Sequence, residues 1–158
     1  MVEAIRQGDI PGVQLRVRQS LDAPADEVWE WVSDSGRLEL WMGDRAELTP
    51  GSGGGLRVES RQEPAGPLIE SAETLEWSPP ARWVLSFRQE EREWKASTRV
   101  TIAVHGRGEG SELDILHGGF EQLSLSTCMT VWEEYRRRWR ERARRLARRI
   151  VEPAEGAG

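Results

Sequence analysis

Three polar side chains fall on the predicted buried faces of regular elements, where they could take part in chemistry. His117 follows Leu113 and Ile115 at a period of two, and a histidine there can donate to or accept from a ligand carbonyl near neutral pH. Glu73 lies between Ile69 and Leu75 on the predicted inner face of a strand over 68–77, and an enclosed carboxylate is suited to act as a general base in an enolisation. Tyr135 lies on an apolar helical stripe, where its hydroxyl can orient the polar end of a ligand.

Each of these residues also has a simpler structural interpretation. His117 can be a histidine whose ring is satisfied by backbone groups near the end of a strand. Glu73 points into solvent if the register of its strand is shifted by one residue. Tyr135 can be an ordinary core tyrosine. The sequence leaves both interpretations open at all three positions.

Other chemistries lack the residue spacing that they need. His105, His117 and Cys128 do not form a pair at metal-ligand spacing, such as two histidines one helical turn apart. The glycines at 53–55 precede an alternating strand, whereas a phosphate-binding loop opens a helix. No stretch resembles a nucleophile elbow. We therefore predict no metal and no cofactor, and we leave the catalytic residues open, with Glu73 and His117 as the only candidates.

The elements that must position these residues follow from the hydrophobic pattern. An alternating strand at 13–17 precedes a helix that opens at Pro24, and a second short helical turn follows. From residue 44 to residue 117 the period is two, and turns rich in glycine and proline separate about six strands. Residues 121–150 form an amphipathic helix, whose apolar stripe is Leu125, Cys128, Trp132, Tyr135, Trp139, Ala143, Leu146 and Ile150.

The order of these elements predicts the fold class. Consecutive strands that lack crossover helices must be mostly antiparallel, and a sheet with one apolar face needs a cover. The long final helix is the only element that can supply it. We predict an α+β fold in which a curved, mostly antiparallel sheet of about six or seven strands wraps around the C-terminal helix, with two short helices after the first strand.

Length and composition place this fold in a single domain. The chain has 158 residues, which is an ordinary size for one domain. We expect a loose leader at 1–12, the domain at 13–150 and a flexible tail at 151–158. No run of apolar residues is long enough to span a membrane or to act as a signal peptide. The single cysteine, Cys128, favours a reducing, cytoplasmic location.

The charge is distributed unevenly along the chain. Residues 121–150 carry nine Arg against four Glu, whereas the whole chain has a net charge of −5. A basic helix on an acidic body can attract nucleic acid, an anionic ligand or an acidic partner. Because no base-reading motif accompanies the arginines, we predict no nucleic-acid binding and interpret them mainly as a solvated face. A homodimer or a protein partner is left open.

Five segments together resemble the SRPBCC (START-like, helix-grip) superfamily. They are LDAPADEVW at 21–29, Trp41 with GGGLRV at 53–58, LEWSPPARW at 75–83, LDILHGGF at 113–120, and Trp132. Their order is similar to that of the bacterial branch named after the activators of the heat-shock chaperone ATPase. The resemblance covers roughly residues 13–150 and implies the helix-grip fold.

The resemblance also implies a range of functions. Members of the superfamily hold hydrophobic small molecules between the curved sheet and the last helix. Some are polyketide cyclases or aromatases, some carry lipids, and the eukaryotic namesake stimulates a chaperone. Chaperone activators carry an extra N-terminal domain that these 158 residues lack, so we expect ligand binding rather than a co-chaperone role.

We therefore predict that the protein binds a hydrophobic or aromatic small molecule between the sheet and the final helix. The predicted lining comprises Trp77, Trp83, Leu85, Phe87, Val100, Ile102, Leu113, His117, Trp132, Tyr135 and Trp139. Two alternatives remain. One is cyclase or aromatase chemistry that uses Glu73 and His117, and the other is a protein-interaction or co-chaperone-like role of the Arg-rich face of the last helix.

Overall fold

The computed structural model describes residues 9–62, 66–90, 94 and 96–152. Most of the predicted leader, residues 1–8, and most of the predicted tail, residues 153–158, lie outside the described residues. The described end of the leader is tied to the domain, because Ile10 and Gln14 form a β-bridge. Asp9 is buried, and its Oδ1 accepts a hydrogen bond of 2.8 Å from the backbone N–H of Arg16.

The elements follow one another in the predicted order. Strand β1 (Gln14–Leu21) precedes the short helices α1 (Ala25–Ser33) and α2 (Ser35–Leu38). Six strands come next: β2 (Arg45–Leu48), β3 (Gly55–Gln62), β4 (Gly66–Ser78), β5 (Arg82–Gln89), β6 (Thr98–Arg107) and β7 (Gly110–Gly118). A 3-10 turn at Phe120–Gln122 leads to helix α3 (Leu125–Val151). Helix α3 therefore begins four residues later than the predicted start at 121.

The seven strands form one antiparallel sheet, in the order β1-β7-β6-β5-β4-β3-β2. Each of the strands from β2 to β6 pairs with the next one along the chain, and β1 completes the sheet by pairing with β7. This arrangement confirms the predicted α+β, helix-grip architecture. At the end of β7, Gly119 has a φ of +92°, a left-handed conformation that glycine adopts without strain and that turns the chain toward α3.

Helix α3 lies on the inner face of the sheet and forms the core with it. Its buried residues include Trp132, Tyr135, Trp139, Ala143 and Leu146, as the predicted stripe requires. The prediction that Leu125 belongs to this buried stripe is wrong, because it is the first residue of the helix and is 93% exposed. Among the described residues, no helix is long and apolar enough to cross a membrane.

The predicted register of β4 is wrong along most of the strand. Leu68, Glu70 and Thr74 are buried, whereas Glu73 is exposed. The register shifts between Thr74 and Glu76, which reverses the alternation, so that Trp77 lies opposite Trp83. Counting backward from Trp77 at a period of two therefore assigns residues 69–75 to the wrong face.

Candidate functional site

The predicted ligand-binding residues lie together in the interior, where they pack against one another. Nine of the eleven are at most 1% exposed; Trp132 is 4% exposed and Trp77 is half-buried. The rings of Phe87, His117, Tyr135 and Trp139 form edge-on and tilted pairs, for example Phe87 and Tyr135 at 5.6 Å between centroids. A side chain with almost no accessible surface leaves no space the size of a water molecule beside it. In this conformation the predicted lining is a filled aromatic core, and its role in ligand binding stays a prediction.

His117 is the hub of one buried chain of hydrogen bonds. The indole N–H of Trp139 donates to His117 Nδ1 at 3.0 Å, so that this nitrogen carries no proton. The neutral ring then carries its proton on Nε2, which lies 2.8 Å from Thr98 Oγ1. The Thr98 hydroxyl in turn donates to the Phe87 carbonyl at 3.0 Å. Both ring nitrogens of His117 are thus satisfied, mainly by side chains rather than by the predicted backbone groups.

This environment favours the neutral form of His117. Burial lowers the pKa of His117 well below its usual range, and the positive charge of Arg142 lowers it further. Protonation of Nδ1 would also place two N–H donors against each other, because the Trp139 indole can only donate. His117 is therefore a neutral structural histidine in this conformation.

A second buried network joins the centre of α3 to β4 and β5. Arg142 forms a buried ion pair with Glu70 through its Nη2 and the carboxylate Oε1. The Tyr135 hydroxyl donates to Glu70 Oε2 at 2.7 Å and accepts from Gln89 Nε2 at 2.9 Å. Burial raises the pKa of Tyr135 well above its usual value, and the Glu70 carboxylate raises it further. The phenol therefore stays protonated and holds the carboxylate in place.

The predicted catalytic pair is not brought together. His117 faces the interior, whereas Glu73 lies on the outer face of the sheet, so its predicted position on the inner face is wrong. The interior carboxylate is Glu70, three residues earlier. Tyr135 is buried as predicted, but its hydroxyl contacts Glu70 and Gln89.

Sequence reasoning missed four polar members of these networks, namely Glu70, Gln89, Thr98 and Arg142. One signal was present for Arg142, because it lies three residues after Trp139 and four before Leu146, on the apolar face of the helix. An arginine at such a position must have a buried partner. Its partner Glu70 is 72 residues away in the sequence, and no local pattern indicates it.

A surface cleft opens beside the Glu70–Arg142 pair, between α3 and the β2–β3 end of the sheet. Its volume is about 210 Å³. The helix contributes Arg138, Glu141, Arg142 and Arg145, and the opposite wall is formed by Met42, Gly43, Asp44, Ser60 and Arg61. We call this space the arginine cleft. At the arginine cleft, the space between the sheet and α3 is open to solvent.

The wall opposite the helix is held close to β3. A Cβ at Gly43 would lie 2.6 Å from Val58 Cγ1, so only glycine lets the chain run this near to the strand. The Asp44 N–H donates to the Glu59 carbonyl at 2.9 Å, and Asp44 Oδ2 accepts from the backbone N–H of Arg61. The cleft therefore has one wall fixed by backbone contacts and one wall formed by the helix.

Two other surface cavities lack a comparable buried group. One, of about 330 Å³, lies against the outer face of the sheet near Arg99 and Gly118. Another, of about 500 Å³, lies between β1 and the C-terminal half of α3, near Gln19 and Arg148. Within the described ranges, no three His, Cys, Asp or Glu side chains are grouped so that they could hold a metal ion.

A seven-stranded antiparallel sheet that grips a long C-terminal helix defines the helix-grip class of proteins. The sequence model of the family described as "Activator of Hsp90 ATPase homolog 1-like protein" matches residues 22–142. The chain therefore belongs to this family, as its sequence resemblance predicted.

Solved structures with the same fold include two proteins of related name. DynU16, described as a putative protein in the dynemicin biosynthetic locus, is 23% identical with a TM-score of 0.69; the match covers 87% of this chain but only 46% of DynU16. CalU16 from Micromonospora echinospora is 22% identical with a TM-score of 0.64, over 90% of this chain and 77% of CalU16.

A chaperone-related protein also shares the fold. PFC0360w, an HSP90 activator from Plasmodium falciparum, is 17% identical with a TM-score of 0.55, over 67% of this chain and 72% of that protein. At these identities the likeness shows the fold alone. No curated protein matches the sequence.

Proposed function

We propose that the protein binds a small molecule in the arginine cleft, between β3 and the C-terminal half of α3. The observation that carries the proposal is the position of Arg142. This residue is 3% exposed, belongs to the buried Glu70 network, and also lines the cleft. A ligand in the cleft would thus contact a group whose geometry the interior fixes, and such preorganisation favours binding.

The size of the cleft limits the ligand. Its volume of about 210 Å³ is smaller than the range of about 300–1,000 Å³ typical of ligand pockets. A small molecule, or one end of a larger one, fits this space without rearrangement. A larger hydrophobic ligand, as predicted from the sequence, would also have to separate Trp139 of α3 from Phe87 of β5.

Catalysis by Glu73 and His117 has no support from the geometry. The two side chains lie on opposite faces of the sheet, and His117 is fully engaged by Trp139 and Thr98. Binding alone is therefore the function that the site favours.

A protein partner is the second candidate. Exposed arginines of α3, among them Arg137, Arg144 and Arg148, present a basic face outside the cleft, and the family takes its name from chaperone activators. Capture of an acidic partner that weakens as salt rises would favour this function, because exposed charges are screened by salt.

The binding proposal is tested by thermal unfolding with a library of small molecules. At about 100 times its dissociation constant, a ligand stabilises the native state by about 2.7 kcal/mol, which corresponds to a rise in Tm of about 5–10 °C. Native mass spectrometry of freshly purified protein then shows whether a small molecule is retained.

Two variants locate the site. Glu141→Trp places a large side chain at the rim of the cleft, on the exposed surface of α3. Glu133→Trp makes the same change about two turns earlier, at another exposed position of the helix. We expect Glu141→Trp to abolish the stabilisation and Glu133→Trp to leave it unchanged. The proposal would be contradicted if no compound of a broad library stabilised the protein, or if a compound stabilised Glu141→Trp as much as the wild type.

A further inference from the structure

We propose that the arginine cleft selects ligands that carry an oxyanion, either a carboxylate or a phosphate. This inference rests on the proposed function and adds the chemical class of the ligand. It comes from the state of the guanidinium groups around the cleft, which provide hydrogen-bond donors that the described part of the chain does not satisfy.

The donors are unevenly paired. Arg142 is neutralised by Glu70, yet its Nη1 is buried and has no hydrogen-bond acceptor among the described residues. The same is true of Nη1 of Arg138. Across residues 9–62, 66–90, 94 and 96–152, no carboxylate lies within 4 Å of the side-chain nitrogens of Arg61, Arg138 or Arg145. The two Nη1 atoms have almost no accessible surface, so the groups that a ligand oxygen reaches first are the exposed guanidiniums of Arg61 and Arg145. An acceptor beside them forms charge-assisted hydrogen bonds, which are the stronger ones.

The two carboxylates at the cleft do not meet this need. Asp44 accepts from the backbone N–H of Arg61, and Glu141 is exposed at the rim. Their charges reduce the positive potential but leave the buried donors unsatisfied. The cleft therefore has more positive charge than its two carboxylates neutralise, and more N–H donors than its own acceptors satisfy.

The aromatic core fixes the direction of these donors. The guanidinium of Arg138 lies over the Tyr135 ring at 4.9 Å, and that of Arg142 lies over the Trp139 ring at the same distance. Stacking uses the face of a guanidinium and leaves its edge free for hydrogen bonds. A planar edge with parallel N–H groups matches the paired oxygens of a carboxylate or a phosphate. A neutral alcohol or a cation cannot satisfy the same donors in this way.

The test uses three probes measured by isothermal titration calorimetry. Benzoate and benzyl alcohol are similar in size and differ in charge, and inorganic phosphate is an oxyanion without a ring. We expect benzoate to bind at least about tenfold more tightly than benzyl alcohol, because charge-assisted hydrogen bonds are the stronger ones. If phosphate displaces benzoate, an oxyanion alone is sufficient for binding in the cleft. If benzoate binds and phosphate does not displace it, the ligands of the cleft are carboxylates.

The matched variants change exposed arginines only. Arg61→Gln with Arg145→Gln removes two charges of the cleft, and Arg137→Gln with Arg148→Gln removes two from α3 outside it. We expect the first pair to weaken benzoate at least about tenfold and to leave benzyl alcohol within about twofold. The second pair should leave both affinities within about twofold, since distant exposed charges are screened.

Three results would overturn the inference. If benzyl alcohol binds the wild type as tightly as benzoate, neither depends on Arg61 and Arg145, and both are lost in Glu141→Trp, the cleft binds ligands without selecting anions, and the proposed function stands. If Arg137→Gln with Arg148→Gln lowers the affinity for benzoate as much as the cleft variants do, the attraction of anions is a general property of the basic helix. If none of the three probes binds, the oxyanion inference is wrong, whatever the library screen finds.

Discussion

Substitution of Glu70 by Gln tests whether the buried ion pair holds α3 on the sheet. The Glu70 side chain is fully buried, its Oε1 pairs with Arg142, and its Oε2 accepts from Tyr135 at 2.7 Å. Glutamine has nearly the same shape and can still accept from Tyr135. The change therefore removes little more than the negative charge and leaves the Arg142 guanidinium, at 3% exposure, without a counter-ion.

The expected loss is large. Breaking a buried ion pair by removing one partner typically destabilises a protein by about 3–5 kcal/mol, mainly because the remaining charge stays buried. A domain of this size has a total stability of about 5–15 kcal/mol. Glu70→Gln should therefore lower the free energy of unfolding by a substantial fraction, measured by urea denaturation at pH 7.

Three further variants make this prediction decisive. Glu73→Gln is the matched control, since Glu73 is exposed on the other face of the same strand, and its effect should be within about 0.5 kcal/mol. Arg142→Gln, alone and combined with Glu70→Gln, completes a double-mutant cycle, and a coupling energy of about 1–3 kcal/mol is expected. If Glu70→Gln proved harmless and Glu73→Gln damaging, the register of β4 and the buried network would both be wrong.

The remaining predictions concern His117, the apolar stripe of α3 and ligand binding. In the unfolded chain His117 takes up a proton near pH 6.5, whereas in the folded protein its ring stays neutral. The free energy of unfolding therefore falls as the pH drops below about 6.5. Between pH 7.5 and pH 5.5 the wild type should lose about 1.4 kcal/mol more than His117→Gln, measured by urea denaturation. An unchanged slope in His117→Gln would contradict the assignment of a buried neutral ring. Trp132→Ala should cost about 3–5 kcal/mol, because Trp132 is buried and its indole donates to the Gln14 carbonyl at 2.8 Å. Leu125→Ala, on the same predicted stripe but 93% exposed, should change stability by less than about 0.5 kcal/mol, and equal losses would mean that the helix packs differently. A ligand found in the thermal screen should also change Trp emission, since Trp139 stacks directly under Arg142 at the cleft.

The hydrophobic pattern was enough to predict the architecture. The two short helices, the run of strands and the long helix follow in the expected sequence, and the antiparallel pairing follows from the lack of crossover helices. The inner faces of β5, β6 and β7 were also predictable, because Trp83, Ile102 and Ile115 belong to series of large apolar residues that recur at a period of two, and no register shift interrupts the pairing of these strands.

The face of β4 could not be predicted from periodicity, because a register shift between Thr74 and Glu76 changes the phase within the strand. Apolar residues lie on both sides of the shift, so the correct phase depends on pairing with Leu85 and Trp83. The buried ion pair was equally hidden. Glu70 and Arg142 are stabilised by each other, and the sequence shows them as two charged residues far apart.

The central claim is that a small molecule with an oxyanion binds in the arginine cleft, and two-dimensional NMR with benzoate as the probe tests it most directly. We expect titration to shift the Nε–H resonances of Arg138 and Arg142 and the backbone amide of Gly43, which line the cleft from both sides. Resonances near Gly118, on the outer face of the sheet, should not move. Shifts confined to that face or to the Arg148 side of α3, or no shifts at all, would contradict the account.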